Sequence, residues 1–465
     1  MSTAHKTAPA SPQSNRPPHR IDWIDFSAVL PFIKIFGAAH SGLRPARIAL
    51  AFALLLTVVA SGRLWDGFAQ PSSPAEGLLA GPLRERQLVE DLEAVRSVVV
   101  ADLREDQRAA ARTASLDELN TLLISAAHDW SAASRESTRY SKLAEMIDAA
   151  RPRSSFEALY ESVRGSFYRA VRGVLHGDFP AVVSALRVGA LDIPIASWNA
   201  APCFTLYFTL VCIVVFGWGG GVLCRLSAGD LSDRAWSVGQ ARAFIRPRVS
   251  SLIYAPLFAL TLGLVFFIPA WLMGVLVNIP LLDVVGGLLF GAALVTSALC
   301  ALVLTVLAIG LPLFAPAVAC DGCDAVESVQ RAGAYICARP LHLLWFAFVS
   351  LIVIALGTLV ADYAATAAWT IAMTAYDSAS GARALVAVGS LQFLEPFQPA
   401  TPALLGLTES TTAALIDVWR TIPCLLIGAC ALSIAFSCAT RSYLLVRSVT
   451  DGQDPCDLWE DSAAA

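Results

Sequence analysis

Charged residues are scarce in this sequence of 465 residues. Asp, Glu, Lys and Arg make up 15% of the chain, whereas about a quarter of the residues are charged in soluble proteins. Hydrophobic residues make up 56%, and they are clustered. The net charge of −4 gives no indication of a nucleic-acid partner. This balance excludes an ordinary soluble chain and favours a membrane protein.

Six apolar runs are near or above the roughly 18 to 20 residues that cross a bilayer. They are Ile48 to Leu64, Phe204 to Leu223, Leu252 to Val277, Val284 to Phe314, Leu343 to Val360 and Ile422 to Leu445. We therefore predict an all-α, polytopic membrane protein with about six transmembrane helices. The first run is short and Arg63 interrupts its far end, so an interfacial or re-entrant segment is the alternative for it.

We expect no cleavable signal peptide, because the first apolar run begins far beyond the first 30 or so residues where one would lie. Lys and Arg concentrate on one side of the six predicted crossings. They are Lys34, Arg44, Arg47, Arg225, Arg234, Arg242, Arg246, Arg248, Arg331, Arg339, Arg441 and Arg447. The positive-inside bias predicts an inner-membrane protein with both termini cytoplasmic.

The long segment 67–201 is the one candidate soluble domain, and its cap signatures predict helices. We expect it to be an extracytoplasmic helical domain that contacts a protein partner, and it either forms a small helical bundle or packs against the membrane. The other predicted regions are a disordered cytoplasmic tail (1–20), an interfacial segment with the first transmembrane helix (21–66), a five-helix membrane domain (202–448) and a second cytoplasmic tail (449–465).

The eleven cysteines show no disulfide framework, and the predicted outer loops contain none. Cys320-Asp-Gly-Cys323 is the sharpest motif, because a CxxC forms a redox pair or half of a zinc site. No second CxxC or nearby pair of histidines accompanies it. Cys337 and His342 complete four ligands only if the chain between them and the motif folds back. We predict no cofactor and no metal, with Cys320 and Cys323 as the candidate ligands if a metal is bound.

A motif occurs twice, each time after one apolar run and before the next. Asp233, Ser237, Val238, Ala241, Ala243, Phe244, Ile245 and Arg248 recur as Asp324, Ser328, Val329, Ala332, Ala334, Tyr335, Ile336 and Arg339. The spacing predicts two interfacial elbow helices, near 233–248 and 324–339, each with one apolar face. We expect Arg242, Arg246, Arg248 and Arg339 to lie at the lipid interface.

The two copies of this motif, from Ser237 to Phe244 and from Asp324 to Tyr335, resemble segments of a broad group of uncharacterised bacterial multi-pass membrane proteins. The segment from Arg441 to Gly452 resembles the end of the same group, and the chain is more distantly similar to the membrane domain fused to some glycerophosphodiester phosphodiesterases. The resemblance covers Phe32 to Leu64 and Phe204 to Leu458. It implies a shared membrane architecture and no catalytic residues, because the phosphodiesterase catalytic barrel has no counterpart here.

Catalytic and transport signatures are missing as well. The sequence has no GxSxG, HExxH, Walker or dinucleotide fingerprint. Ionisable residues fall at the predicted ends of the spans, which argues against a proton-coupled carrier. We predict a non-enzymatic protein with a binding, scaffolding or membrane-organising role. The alternative is permease-like or channel-like transport of a small uncharged or lipidic solute, and a third is a membrane-bound enzyme or metal or redox sensor using the CDGC pair.

Overall fold

The structure is a computed structural model that describes most of the chain. The described residues are 32–69, 71–74, 77–81, 93, 96–100, 108–109, 111–112, 118–119, 151–279, 282–380 and 407–459. The predictions for the tail 1–20, for most of the segment 82–150 and for the last six residues fall outside them.

Every regular element in the described part of the chain is a helix, which confirms the predicted all-α polytopic class. The helices are α1 (Ile33–Gly42), α2 (Pro45–Asp66), α3 (Ser155–His176), α4 (Phe179–Arg187), α5 (Ile193–Ala200), α6 (Pro202–Leu231), α7 (Val238–Ile245), α8 (Val249–Leu276), α9 (Asp283–Leu288), α10 (Phe290–Asp321), α11 (Ala325–Ala338), α12 (Pro340–Ser380) and α13 (Leu407–Asp451). A π-helical turn, Val188–Asp192, joins α4 to α5.

Seven helical segments of the described chain are long and apolar enough to cross a membrane. Six of them correspond to the predicted runs: α2, α6, α12 and α13 contain theirs, α8 ends one residue before Val277, and the run from Val284 to Phe314 is divided between α9 and α10. Proline stands at the first position of α2, α6 and α12, where its fixed φ favours a helix and its missing N–H has no cost. The seventh segment, Phe179–Ala200, combines α4, the π turn and α5. It lies inside the segment that the sequence assigns to the outer domain.

The duplicated motif forms two short helices, α7 and α11, that lead into α8 and α12. Ser237 and Gln240 form a capping box at the start of α7, and the Asp324 carboxylate accepts the Glu327 N–H at the start of α11. The predicted apolar face is buried in both, with Ile245 at 0% and Ile336 at 7% exposure. This face packs on the neighbouring long helices and fixes each elbow to the bundle.

The long helices meet most tightly around α13, which contacts α1, α2, α6, α10 and α12. Three consecutive glycines of α6 permit this approach. A Cβ at Gly219 would strike Leu54, one at Gly220 would strike the Phe436 ring, and one at Gly221 would lie 2.6 Å from Leu252 Cδ1. Because the three glycines are consecutive, α6 contacts α2, α13 and α8 at the same height along its axis.

Candidate functional site at the arginine-rich end

Eleven of the described arginines gather at one end of the bundle. The helices α6, α10 and α13 finish there, and α2, α8 and α12 begin there. We call it the arginine-rich end, and the other the opposite end. Four of its arginines are buried, with exposures of 3% to 8%: Arg47, Arg225, Arg441 and Arg447. Burying a guanidinium is costly unless its donors are satisfied, so each of these four arginines must have hydrogen-bond partners within the protein.

Arg47, in the first turn of α2, ties the start of that helix to the end of α6. Its guanidinium donates to the backbone carbonyls of Ser41 at 2.9 Å and Leu226 at 2.7 Å. Its Nη2 also lies 2.7 Å from Asp230 Oδ2, while the half-exposed Arg44 reaches Asp230 Oδ1 at 2.6 Å. Two arginines therefore share one nearly buried carboxylate.

Asp321, the last residue of α10, is the acceptor for a second cluster. Its carboxylate accepts hydrogen bonds from Arg447 and from the Tyr443 hydroxyl, both on α13. Arg331 of α11 donates to it at 2.8 Å and pairs with Glu327 at 2.7 Å. The side chains of Asp321 and Arg447 are 7% and 3% exposed, so this is a buried ion pair.

Arg447 also holds the segment that follows α13. It donates to the backbone carbonyls of Asp454 at 3.0 Å and Asp457 at 2.6 Å. The chain then folds under the bundle, where the Trp459 N–H donates to the Cys320 carbonyl at 2.8 Å. The segment 452–459 is thus part of the packed structure.

Arg225 of α6 fills the space between this segment and α7. Its guanidinium carbon lies 4.0 Å from the ring centroid of Trp236 and 3.7 Å from that of Phe244. It donates to the carbonyls of Ala319 at 3.0 Å and Trp459 at 2.8 Å. A planar cation between two rings, with in-plane donors on carbonyls, is a geometry that arginine provides and lysine does not.

Arg441 is the fourth buried arginine. Its Nη1 donates to the Lys34 carbonyl of α1 at 2.6 Å, and its Nε has no hydrogen-bond partner among the described residues. The side chain lies against Gly37, where a Cβ would meet the guanidinium. Arg441 therefore attaches α1 to α13, as Arg47 attaches α2 to α6.

The arginines predicted to face lipid form a separate, outer group. Arg242, Arg246 and Arg339 are exposed, and no carboxylate in the described part of the chain pairs with them. Arg248 is half-buried, donates to the Phe244 carbonyl at 2.8 Å and lies 4.0 Å from the centroid of that ring. The end of the bundle thus has buried arginines bound to protein groups and exposed arginines open to other partners.

The CDGC pair is packed against the same cluster. Cys320 is fully buried in α10, and Cys323 is 4% exposed. Burial raises the pKa of the Cys323 thiol to about 12, which disfavours the thiolate that metal binding and redox exchange require. The 14-residue helix α11 places Cys337 about 20 Å from Cys323, and His342 lies beyond that helix, in α12. Among the described residues, no three His, Cys, Asp or Glu side chains come together as a metal site.

The sequence interpretation missed the buried cluster because it counted these arginines only as positive charge at the ends of the apolar runs. The helices are longer than those runs: α6 continues from Leu223 to Leu231 and α13 from Leu445 to Asp451. Asp230 lies in the extension of α6, and Asp321 lies in the extension of α10 beyond Phe314. Arginines and carboxylates together within the last two turns of several spans were the available signal.

Comparisons of the chain with known proteins give no match. No protein-family model, no curated protein and no solved structure is similar to the chain. The resemblance to bacterial multi-pass proteins and to the phosphodiesterase membrane domain stays a prediction.

Proposed function

We propose that this multi-pass membrane protein is a non-enzymatic binding protein that engages anionic phospholipid headgroups at its arginine-rich end and organises the membrane there. The observation that carries the proposal is the separation of the arginines into two groups. The buried group is committed to protein carbonyls and carboxylates, whereas Arg242, Arg246 and Arg339 are exposed and pair with no described carboxylate.

The exposed group is well placed for lipid phosphates. Arg242 and Arg246 are four residues apart, so they project from the same side of the elbow that α7 forms. Arg339 holds the corresponding place between α11 and α12. A guanidinium can bind a phosphate through two parallel hydrogen bonds. Each arginine close to an anionic membrane surface contributes about 1 kcal/mol.

The buried group gives this surface its rigidity. Arg47, Arg225, Arg441 and Arg447 attach α1, the start of α2 and the segment 452–459 to the long helices. Less conformational entropy is lost when a ligand meets a surface that is already ordered. A fixed ring of exposed arginines is therefore better suited to holding lipids than mobile loops of the same charge.

The orientation follows from the same residues. Positive residues near the ends of spans face the cytoplasm, and the cytoplasmic leaflet carries the anionic lipids that attract them. The proposal therefore places the arginine-rich end in the cytoplasm, with both termini there, and places the protein in a bacterial inner membrane.

Lipid retention tests this function. The intact protein is reconstituted in nanodiscs of phosphatidylcholine containing some phosphatidylglycerol, and the lipids that stay bound after transfer to detergent are identified by native mass spectrometry. We expect the wild type to retain phosphatidylglycerol preferentially and the variant R242Q/R246Q to lose that preference.

The matched control changes two exposed arginines near the opposite end, R63Q/R151Q, and should retain phosphatidylglycerol as the wild type does. Equal retention by R242Q/R246Q and the wild type would contradict the proposal. Equal losses in both variants would show that charge alone, and not the arginine-rich end, determines retention.

A further inference from the structure

The helices α3 to α5 form a hairpin that begins and ends at the opposite end of the bundle. At its start, the Asp66 carboxylate at the end of α2 accepts the Ser154 hydroxyl at 2.6 Å and the Phe156 N–H at 2.9 Å. At its finish, α5 leads through Ala201 into α6, whose Phe204 ring lies 5.8 Å from Trp65 beside Asp66. Both ends of the hairpin are therefore level with the same end of α2.

The tip of the hairpin lies beside the apolar part of α12. Gly177, with φ of 70°, ends α3, and the Asp178 carboxylate accepts the Ala181 N–H to start α4. Phe179 packs on Phe348 with ring centroids 5.7 Å apart. Phe348 is about 12 Å along α12 from its start at the arginine-rich end. The tip thus lies at a depth where α12 must be surrounded by bilayer.

The lengths of the arms fit this depth. The 22 residues of α3 rise about 33 Å, and the hydrocarbon core of a bilayer is about 30 Å thick. The returning arm, Phe179–Ala200, is itself long and apolar enough to cross a membrane. A hairpin that starts at the opposite end and reaches this depth has no water around its middle.

The outward face of the returning arm is apolar. The side chains that are 51% to 65% exposed on it are Phe179, Val183, Leu186, Leu191, Ile195 and Trp198. Its inner face packs on α3, where Val182 lies against Gly173 and the Ser166 hydroxyl donates to the Ala185 carbonyl at 2.6 Å. Soluble proteins rarely expose a continuous apolar stripe of this size, whereas a lipid-facing helix requires one.

The charged residues of the returning arm and those near the tip of α3 occupy positions that a bilayer tolerates. Arg187 and Asp192, near the middle of the returning arm, lie 3.7 Å apart across the π turn. Arg169 and Arg172 are exposed within two turns of the end of α3, close enough to the tip for their long side chains to extend toward headgroups. Pairing and snorkelling are the two ways in which ionisable groups persist in membranes.

We infer that residues 155–200 form a helical hairpin embedded in the bilayer, with the exposed face of the returning arm in contact with lipid acyl chains. The hairpin enters and leaves at the opposite end, so it adds no net crossing to the six long helices. The hairpin thus accounts for the seventh apolar segment, and the number of crossings stays at six. This inference rests on α3 to α5 and their contacts with α2, α6 and α12, and it stands apart from the proposed headgroup binding.

Nitroxide accessibility tests the inference in the full-length protein in nanodiscs. The exposed cysteines Cys203, Cys337 and Cys456 are changed to Ser, and single labels are attached to V183C or I195C. Collisions with oxygen, which partitions into lipid, are compared with collisions with a water-soluble nickel chelate. We expect strong oxygen and weak nickel collisions at both positions, and the second position serves if one variant does not fold.

Two further labels provide the scale. V265C lies in the middle of α8 on an exposed position and gives the lipid reference, while R151C lies beyond the start of the hairpin and gives the water reference. Values at Val183 and Ile195 that match V265C support the hairpin in the bilayer. Values that match R151C would overturn the inference and return this segment to a soluble outer domain.

Discussion

The ion pair of Asp321 and Arg447 permits a quantitative prediction about the arginine-rich end. In D321N the side chain keeps its shape but loses its charge. Arg331 keeps Glu327 at 2.7 Å, and Tyr443 can still donate to the amide oxygen. Arg447, which is 3% exposed, is left with only the carbonyls of Asp454 and Asp457.

Removing one partner of a buried ion pair costs about 3 to 5 kcal/mol, because the other charge stays buried without compensation. Since only Arg447 is left in this state, we expect the lower value. D321N should lower the free energy of unfolding by about 3 kcal/mol, which is more than a hundredfold in the equilibrium constant.

The assay is reversible unfolding in mixed micelles by titration with sodium dodecyl sulfate, followed by circular dichroism. The control D377N makes the same chemical change at an exposed position on α12 and should alter stability by less than about 0.5 kcal/mol. Limited proteolysis should also release the segment 452–459 sooner in D321N than in D377N.

The double variant D321N/R447M distinguishes a stranded charge from a general loss of packing. If an unpaired guanidinium causes the cost, D321N should be much less harmful when Arg447 is already Met. An equal cost of D321N in both backgrounds would refute this explanation.

Three other measurements test the packing within the bundle and at its arginine-rich end. G220V should lower stability by about 1 to 3 kcal/mol or more in the same assay, because a Cβ there meets an aromatic ring of α13; a cost below 0.5 kcal/mol would contradict the close approach. R225K should cost about 2 kcal/mol although it keeps the charge, because lysine cannot fill the planar site between two rings; wild-type stability would count against the stacking. At about pH 8 a membrane-impermeant maleimide should label the exposed Cys456 in opened cells and spare Cys323, because that thiol is 4% exposed and its burial raises its pKa to about 12; rapid labelling of Cys323 in the folded protein would contradict its burial.

The sequence predicted much of the fold because membrane helices depend on local signals. An apolar run long enough to cross a bilayer and the spacing of apolar residues within the duplicated motif each depend only on neighbouring residues. The six long helices and the two elbows could therefore be located without tertiary information. The buried faces of α7 and α11 followed from the spacing of apolar residues within each repeat.

The rest depended on contacts between distant residues. Arg225 is satisfied by carbonyls 94 and 234 positions away, and no local pattern specifies such partners. The sequence did not predict the returning arm of the hairpin as one apolar segment, and the reason is different. Pro180, Arg187, Asp192 and Pro194 divide its apolar residues into short pieces, and only the packing on α3 and α12 reveals that they act as one segment.

The contact between Arg225 and Trp459 also has a consequence for the order of assembly. The two residues are separated by 234 positions, so the ribosome produces Arg225 well before the Trp459 carbonyl that accepts one of its hydrogen bonds. At about 5 to 20 residues per second, the interval is roughly 10 to 50 s. During that time the guanidinium has the rings of Trp236 and Phe244, 11 and 19 residues later in the chain, as its earliest available partners. A nascent chain that stalls before Trp459 would therefore hold an incompletely satisfied cation at its core, a defect that membrane proteases could recognise.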